Sequence, residues 1–335
     1  MFNIKTIEER AFGSVDNPIW DLKVSPNQQL MLYLDGSNSP WLNKIISLEK
    51  EIRQFPDSEL WASFAWLDNE HIIFGSTTEV PDSTVKTYNY LTGEEANLYL
   101  DIPNPLYWIH PTGNNILIAS INPEIDRVVY FDKKDGGRII FWDNKSNRIL
   151  SSLSYPIHES NGQDMLPAVP FFDGWSPDGK KFITTSPLVV SKTEEVMAEE
   201  LFQFNYNGKI TQVTQFSNFY NFVRITQPVW SPDGETIAFW LRVSNNENQT
   251  LDTLNQQLVT LNIRTNEIRD LCLQFGQSKY SSATRQPIWS PDSDYLVVET
   301  RMPDGNPIVN LVNIKENTLI TLKKGFLPIG WVISP

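Results

Sequence analysis

The chain has 335 residues, of which 40% are hydrophobic and 20% are charged, and a formal net charge of -13. This composition is typical of a soluble globular protein and excludes an intrinsically disordered chain. The acidic balance argues against binding to nucleic acid or to an anionic membrane surface, because both need basic surface. A single cysteine, Cys272, excludes an internal disulfide framework and a cysteine-rich metal site.

The sequence also contains no run of 18 apolar residues, so no membrane insertion is predicted. Its first residues, MFNIKTIEERAFG, lack the charged-then-apolar pattern of a leader. We therefore expect a cytoplasmic protein.

A hairpin with a tight turn recurs along the chain. Residues 2–12 are predicted to form an outer strand, and loose copies of the hairpin then begin at Val24, Trp66 and Trp108. Three explicit copies follow: Phe172–Thr185, Gln227–Leu241 and Gln286–Thr300. Each explicit copy is an apolar stretch, a Ser-Pro-Asp turn and a second apolar stretch, which is a hairpin pattern. Residues 326–333 resemble the start of a seventh copy.

The second half of each unit is a second hairpin with a polar turn. These hairpins lie at 44–55, 86–100, 138–153, 201–216, 257–273 and 307–322. Each unit is therefore predicted to be a four-stranded antiparallel sheet, A-B-C-D, repeated roughly every 40 to 65 residues, as in the blades of a propeller. The fold class is all-β, a β-propeller with six full blades in one domain, 1–335. Seven blades, closed by both termini, is the alternative.

One segment has the composition of a helix rather than a strand. Thr193–Glu200 offers a good N-cap residue followed by strong helix formers. It lies within an insertion, so we expect a short helix there.

The Trp-Ser-Pro-Asp-Gly turn resembles the repeat of TolB-type propellers. Trp175–Gly179 and Trp230–Gly234 match this motif fully, and Trp289–Ser293 matches it with serine in place of glycine. The resemblance covers nearly the whole chain and implies the propeller fold. Such repeats occur in periplasmic translocation proteins and in the propeller domains of prolyl-oligopeptidase-like enzymes, so the resemblance does not imply one function.

The insertions between strands all fall on one face of the predicted blades. They are residues 121–137, 155–171, 186–200, 243–256 and 276–286. In an antiparallel blade, the B–C loops and the D–A connections lie at the end opposite the tight turns. Long loops on a rigid scaffold are where binding residues concentrate, so we expect the functional surface on this face.

Four arginines lie near the strand ends of this face: Arg224, Arg242, Arg285 and Arg301. Arg242 and Arg301 occupy equivalent positions, eight residues after Gly234 and Ser293. If the four converge, their guanidinium groups could hold a carboxylate or a phosphate. Alternatively they pair with acidic residues of neighbouring loops, such as Glu247 or Asp252.

Aromatic side chains cluster in the connection before the fifth unit. Phe216, Phe219, Tyr220 and Phe222 surround Asn218 and Asn221. If exposed, these rings would suit a protein partner; if buried, they would fill the space between blades.

Catalytic signatures are largely absent. His71, His110 and His158 form no metal-binding spacing, and Ser176 belongs to a turn rather than a nucleophile elbow. The sequence thus predicts a non-enzymatic scaffold that holds a protein or peptide, with no cofactor or metal. The alternative is an enzyme or small-anion-binding protein with its site at the channel mouth of the same face. The oligomeric state is not indicated.

Overall fold

The structure, a computed structural model, consists almost entirely of β-strands. It describes residues 2–3, 8–9, 19–25, 27, 29–35, 42–47, 51–56, 64–66, 69–75, 85–98, 110–112, 115–117, 120–122, 127–132, 138–143, 148–154, 159–160, 163–164, 174, 176–178, 180–190, 196–205, 209–246, 256–275, 286–301, 306–325, 328 and 330–331. Within these ranges there is no α-helix, and one turn of 3-10 helix occurs at Phe216–Asn218. The all-β prediction is confirmed at this level. Two compact units are present, residues 1–124 with 329–335 and residues 125–328, and the single domain stays a prediction.

The described residues of the first unit form thirteen strands. They are β1 (Phe2–Asn3), β2 (Glu8–Glu9), β3 (Ile19–Val24), β4 (Leu30–Asp35), β5 (Leu42–Ser47), β6 (Glu51–Pro56), β7 (Phe64–Trp66), β8 (His71–Gly75), β9 (Val85–Asn89), β10 (Glu95–Leu98), β11 (His110–Thr112), β12 (Asn115–Leu117) and β13 (Ser120–Asn122). Two four-stranded antiparallel sheets, β3 to β6 and β7 to β10, follow chain order as predicted.

The termini differ from the prediction. Residues 2–12 do not form one outer strand, because β1 and β2 fold back on each other as a two-stranded hairpin. Of the predicted strand at 326–333, the described residues Pro328, Gly330 and Trp331 are not in a strand. A β-carbon added at Gly330 would lie 2.6 Å from the Val24 side chain. The C-terminal segment therefore passes close to the end of β3, within the first unit.

Sixteen strands are formed by the part of the second unit that the structure describes. They are β14 (Arg127–Asp132), β15 (Arg138–Asp143), β16 (Arg148–Ser154), β17 (Glu159–Ser160), β18 (Gln163–Asp164), β19 (Lys181–Val190), β20 (Val196–Asn205), β21 (Ile210–Gln212), β22 (Phe222–Trp230), β23 (Thr236–Ser244), β24 (Gln256–Asn262), β25 (Ile268–Phe275), β26 (Ile288–Trp289), β27 (Tyr295–Arg301), β28 (Pro307–Asn313) and β29 (Thr318–Lys324). The last four form one antiparallel sheet in chain order, again as predicted.

Strands occupy much of three predicted insertions, 121–137, 155–171 and 186–200. Residues 121–137 include β14, which pairs with β15, and residues 155–171 include the hairpin of β17 and β18. The helix predicted at Thr193–Glu200 is wrong: its residues from Val196 onward belong to β20, a ten-residue strand paired along its length with β19. The hydrogen bonds of this long antiparallel pair override the local helix propensity.

A seven-stranded sheet joins the fourth and fifth predicted units. The order is β19-β20-β22-β23-β24-β25, with β21 also paired to β20. Strands β20 and β22 run parallel and meet at Ala198 and Val223. The extension of β20 beyond its predicted start thus brings Glu199 and Glu200 beside the first residues of β22.

The tight turns owe their geometry to a serine and an aspartate. In the turns of the second unit, the Ser176, Ser231 and Ser290 hydroxyls donate to the aspartate two residues later at 2.5–2.6 Å. The same aspartate accepts an amide proton from two residues further on. Ser25 and Asn27 form the equivalent pair in the first unit at 2.8 Å. The turn chemistry predicted from the sequence is confirmed.

Tryptophans at the ends of the A strands join each predicted unit to the one before it. The indole N–H of Trp230 donates to the Gly174 carbonyl at 3.1 Å, and that of Trp289 donates to Val229 at 3.3 Å. Trp230 is buried in a core with Ile183, Leu201 and Phe239. Together these contacts fix the sheets on which the candidate site is built.

Candidate functional site

The connection from β21 to β22 is held in place from within the fold. Its one turn of 3-10 helix, Phe216–Asn218, directs the Phe216 ring into the core, 6.3 Å from the ring of Phe239. The Glu200 carboxylate is fully buried and accepts hydrogen bonds from the Thr214 hydroxyl at 2.5 Å and the Ser217 amide at 2.6 Å. The connection is therefore anchored by a buried side chain that accepts two hydrogen bonds as well as by apolar packing.

The outer surface of this connection carries two exposed aromatic rings. Phe219 is 74% exposed and Tyr220 is 36% exposed. Asn221 donates through its backbone amide to the Asn245 side chain at 3.1 Å, which joins the connection to the end of β23. We call this surface the amide–aromatic patch; its exposed members are Gln215, Asn218, Phe219, Tyr220, Asn221, Asn245 and Asn246.

The predicted aromatic cluster is divided between surface and core. Phe219 and Tyr220 are exposed, which fits the alternative in which the rings contact a protein partner. Phe216 and Phe222 are 9% and 8% exposed and fit the core-filling alternative. The four rings therefore do not form a single surface, and Phe222 does not belong to the patch.

A row of polar side chains crosses the sheet near the same end. Arg224 and Arg242 are cross-strand partners on β22 and β23, so their side chains leave the same face. Nε of Arg224 lies 3.4 Å from a carboxylate oxygen of Glu199 on β20. Nη2 of Arg242 donates to the side-chain oxygen of buried Gln256 on β24 at 2.9 Å. We call Glu199, Arg224, Arg242 and Gln256 the arginine row.

The other two predicted arginines are not seen in this row in the described part of the chain. Arg285 lies outside them. Arg301 ends β27, where its backbone is opposite Pro307 in a separate sheet. Glu247 and Asp252, expected as acidic partners, also lie outside the described residues. The partner of Arg224 is Glu199 instead.

Sequence reasoning missed the roles of Glu199 and Glu200. Both were counted as helix formers, yet consecutive residues of a strand point to opposite faces of the sheet. Glu199 therefore reaches the arginine row, while Glu200 reaches the anchored connection. Burial of Glu199 raises the pKa of its carboxyl, and the Arg224 charge opposes that rise. A signal was present just after them, because the apolar–polar alternation of residues 202–205, Phe-Gln-Phe-Asn, is typical of a strand.

Two further observations concern only the described part of the chain. No group of three or more histidine, cysteine or acidic side chains is placed to hold a metal ion there. No helix of these ranges is long and apolar enough to cross a membrane.

Comparisons with known proteins give a fold but no family. No family model matches the chain, and no curated protein sequence matches it. Among solved structures, it is similar to an oligogalacturonate lyase in complex with manganese at 12% identity, with a TM-score of 0.53 over 89% of this chain and 74% of that one.

It is also similar to the hydrazine synthase of Kuenenia stuttgartiensis at 13% identity, with a TM-score of 0.51 over 86% of this chain and 75% of that one. TolB from Acinetobacter baumannii is similar at 14% identity, with a TM-score of 0.41 over 91% of this chain. The chain spans 54% of the length of that TolB. Identities this low describe a shared fold and carry no function.

Proposed function

We propose that the chain is a binding scaffold of six four-stranded blades that holds a protein or peptide partner at the amide–aromatic patch. The observation that carries this proposal is the 74% exposure of Phe219 on a connection that buried Glu200 anchors. A loop ordered before binding loses little conformational entropy when the partner arrives. An aromatic ring adds a large contact area with only two rotatable side-chain bonds.

The composition of the patch supports a partner whose contact surface carries little charge at its centre. Residues 210–223 contain no charged side chain, although the whole chain carries a net charge of -13. The centres of protein interfaces are depleted in charged residues and enriched in aromatic ones. Asparagine, serine and tyrosine are also the residues with which antibody loops make adaptable contacts. The patch therefore has the composition of an interface centre within an acidic surface.

The expected partner combines an uncharged pocket with a basic rim. The pocket would receive the Phe219 ring, while amide side chains around it satisfy polar groups of the partner. Positive charges at the rim would be attracted by the acidic chain and would increase the association rate at low salt. We therefore expect the association rate to fall with added salt and the dissociation rate to depend chiefly on Phe219.

The test is capture of a partner from host cells by the intact chain, followed by binding measurements with two variants. Phe219→Ser removes the exposed ring of the patch. Leu91→Ser is the matched control, because Leu91 is 58% exposed on a turn of the first unit. Truncation of an aromatic interface anchor typically costs at least ~2 kcal/mol, so Phe219→Ser should weaken binding by roughly thirtyfold.

The control must bind as the intact chain does. Equal losses with both variants would mean that any exposed apolar side chain retains the captured protein, and the proposal would fail. Undiminished binding by Phe219→Ser would also contradict it.

A further inference from the structure

Arg224 has one edge of its guanidinium occupied and the other directed away from that contact. A guanidinium group can bind a carboxylate through Nε and one Nη, or through its two Nη atoms. The Glu199 carboxylate lies on the Nε side at 3.4 Å. Among the described residues, the structure gives Arg224 no other ion pair or hydrogen bond, and 38% of its side chain is exposed. Because 38% of the side chain is exposed, a ligand can reach the Arg224 guanidinium.

The surroundings favour a fixed orientation of this edge. Glu199 is 12% exposed at its side chain and lies on β20, and Arg224 lies on β22, so both ends of the ion pair are on paired strands. Arg242 is the cross-strand neighbour of Arg224 and places a second positive charge beside it. Positive charges on one face of a sheet repel each other, and an anion bound there reduces that repulsion.

We propose that the Nη1–Nη2 edge of Arg224 binds the carboxylate of a ligand, with Glu199 holding the guanidinium in position. The planar fork of arginine fits a carboxylate in two parallel hydrogen bonds. A monoanion suits the site better than phosphate, because the Glu199 carboxylate and the net charge of -13 both disfavour a second negative charge. The carboxylate could belong to a small acid or to the end of a peptide.

The Arg224 site lies near the amide–aromatic patch, but carboxylate binding at Arg224 does not depend on the patch. Arg224 follows Asn221 by three residues along an extended segment, which is a distance of roughly 10 Å. A peptide of about three residues would span the same distance. A free acid would use Arg224 alone, whereas a peptide terminus would also contact the amide–aromatic patch.

The experiment titrates N-acetylglycine into the full chain labelled with nitrogen-15 in its arginine side chains, at constant ionic strength. We expect saturable shifts of the Arg224 guanidinium signals, with a dissociation constant on the order of 1 mM for one bidentate contact. Arg264 is the matched control, because it also forms a single ion pair, with Glu235 at 3.3 Å, and is 73% exposed. Its signals should not saturate.

The variants Arg224→Lys and Arg264→Lys then separate fork geometry from charge. Lysine retains the charge but not the fork, so Arg224→Lys should weaken N-acetylglycine binding on the order of tenfold, and Arg264→Lys should leave it unchanged. A titration with the amide of N-acetylglycine should show no shift. Linear shifts at Arg224, or equal shifts at Arg264, would overturn the proposal, as would full affinity in Arg224→Lys.

The source of the carboxylate is decided by a second titration. The peptide acetyl-Ala-Ala-Phe is added with a free and with an amidated C-terminus. If the free peptide binds at least tenfold more tightly than N-acetylglycine, and Phe219→Ser removes that gain, the site receives a peptide end. If the affinities are equal, it receives a small acid. Either result retains the Arg224 site, and the partner proposal is tested separately by the Phe219 and Leu91 variants.

Discussion

Trp230 provides the most direct test of how the fourth and fifth predicted units are joined within the seven-stranded sheet. Its side chain is 5% exposed and packs in a core of twelve buried residues. Trp230→Ala removes the whole indole, and truncations of this kind cost ~3–5 kcal/mol. The Lys181 ammonium lies 5.8 Å from the ring centroid, and this contact, worth about 0.5–1 kcal/mol, is also lost.

Trp230→Phe isolates the hydrogen bond from the packing. The Gly174 carbonyl accepts the indole N–H at 3.1 Å and also the Ile183 amide at 2.7 Å, so it retains one partner in the variant. We therefore expect a loss of about 1 kcal/mol from the hydrogen bond, plus a smaller loss from the reduced ring.

The assay is urea unfolding of both variants and the intact chain at 25 °C, followed by circular dichroism. The expected order of stability is intact chain, then Trp230→Phe, then Trp230→Ala. A Trp230→Ala chain that loses less than about 1 kcal/mol would refute the packing of Trp230 between the fourth and fifth predicted units. Equal losses in both variants would show that the hydrogen bond, rather than the ring, carries the stability.

Two further predictions concern the tight turns. Ser293 has a φ of 61° where the preceding copy has glycine, and its hydroxyl accepts the Asp233 amide at 3.1 Å. Ser293→Gly and Ser293→Ala both lose that hydrogen bond, but only glycine relieves the backbone strain. The glycine variant should therefore be more stable than the alanine variant by about 1 kcal/mol in thermal unfolding. Equal stability of the two variants would contradict backbone strain at this position. The Ser290 hydroxyl is the main cause that holds the pKa of Asp292 below its usual value, although partial burial opposes it. The carboxylate therefore stabilises the fold above about pH 4 and stops doing so as the pH falls through its lowered pKa. Asp292→Asn should unfold at a lower temperature than the intact chain at pH 7, and the difference should shrink below about pH 4; a constant difference would show that ionisation of Asp292 does not matter.

The turns and the strand order could be predicted because their causes are local. Ser231 and Asp233 lie two residues apart, and the hydrogen bonds that shape the turn involve only neighbouring residues. Apolar runs on both sides of such a turn leave little choice but an antiparallel hairpin. Sheets of four strands in chain order followed from the repetition of that local unit.

The site could be predicted only in part, because its contacts join residues that are distant in sequence. The sequence predicts that Arg224 and Arg242 lie near strand ends of one face, and the structure makes them cross-strand partners. Glu199 reaches Arg224 only because β20 extends and pairs in parallel with β22, and no local pattern specifies that pairing. The division of the aromatic cluster also depends on packing, since Phe216 is buried by Phe239, which is 23 residues away in the sequence.

The central claim is that the amide–aromatic patch holds a protein or peptide partner. Hydroxyl-radical footprinting tests it directly, by comparing oxidation of Phe219 and Tyr220 in the full chain alone and in an extract of its host cells. Leu91 serves as the internal reference, because it is exposed in the first unit. We expect oxidation of both aromatic rings to fall in the extract while that of Leu91 is unchanged. Oxidation of the two rings that stays in constant proportion to that of Leu91 would contradict it.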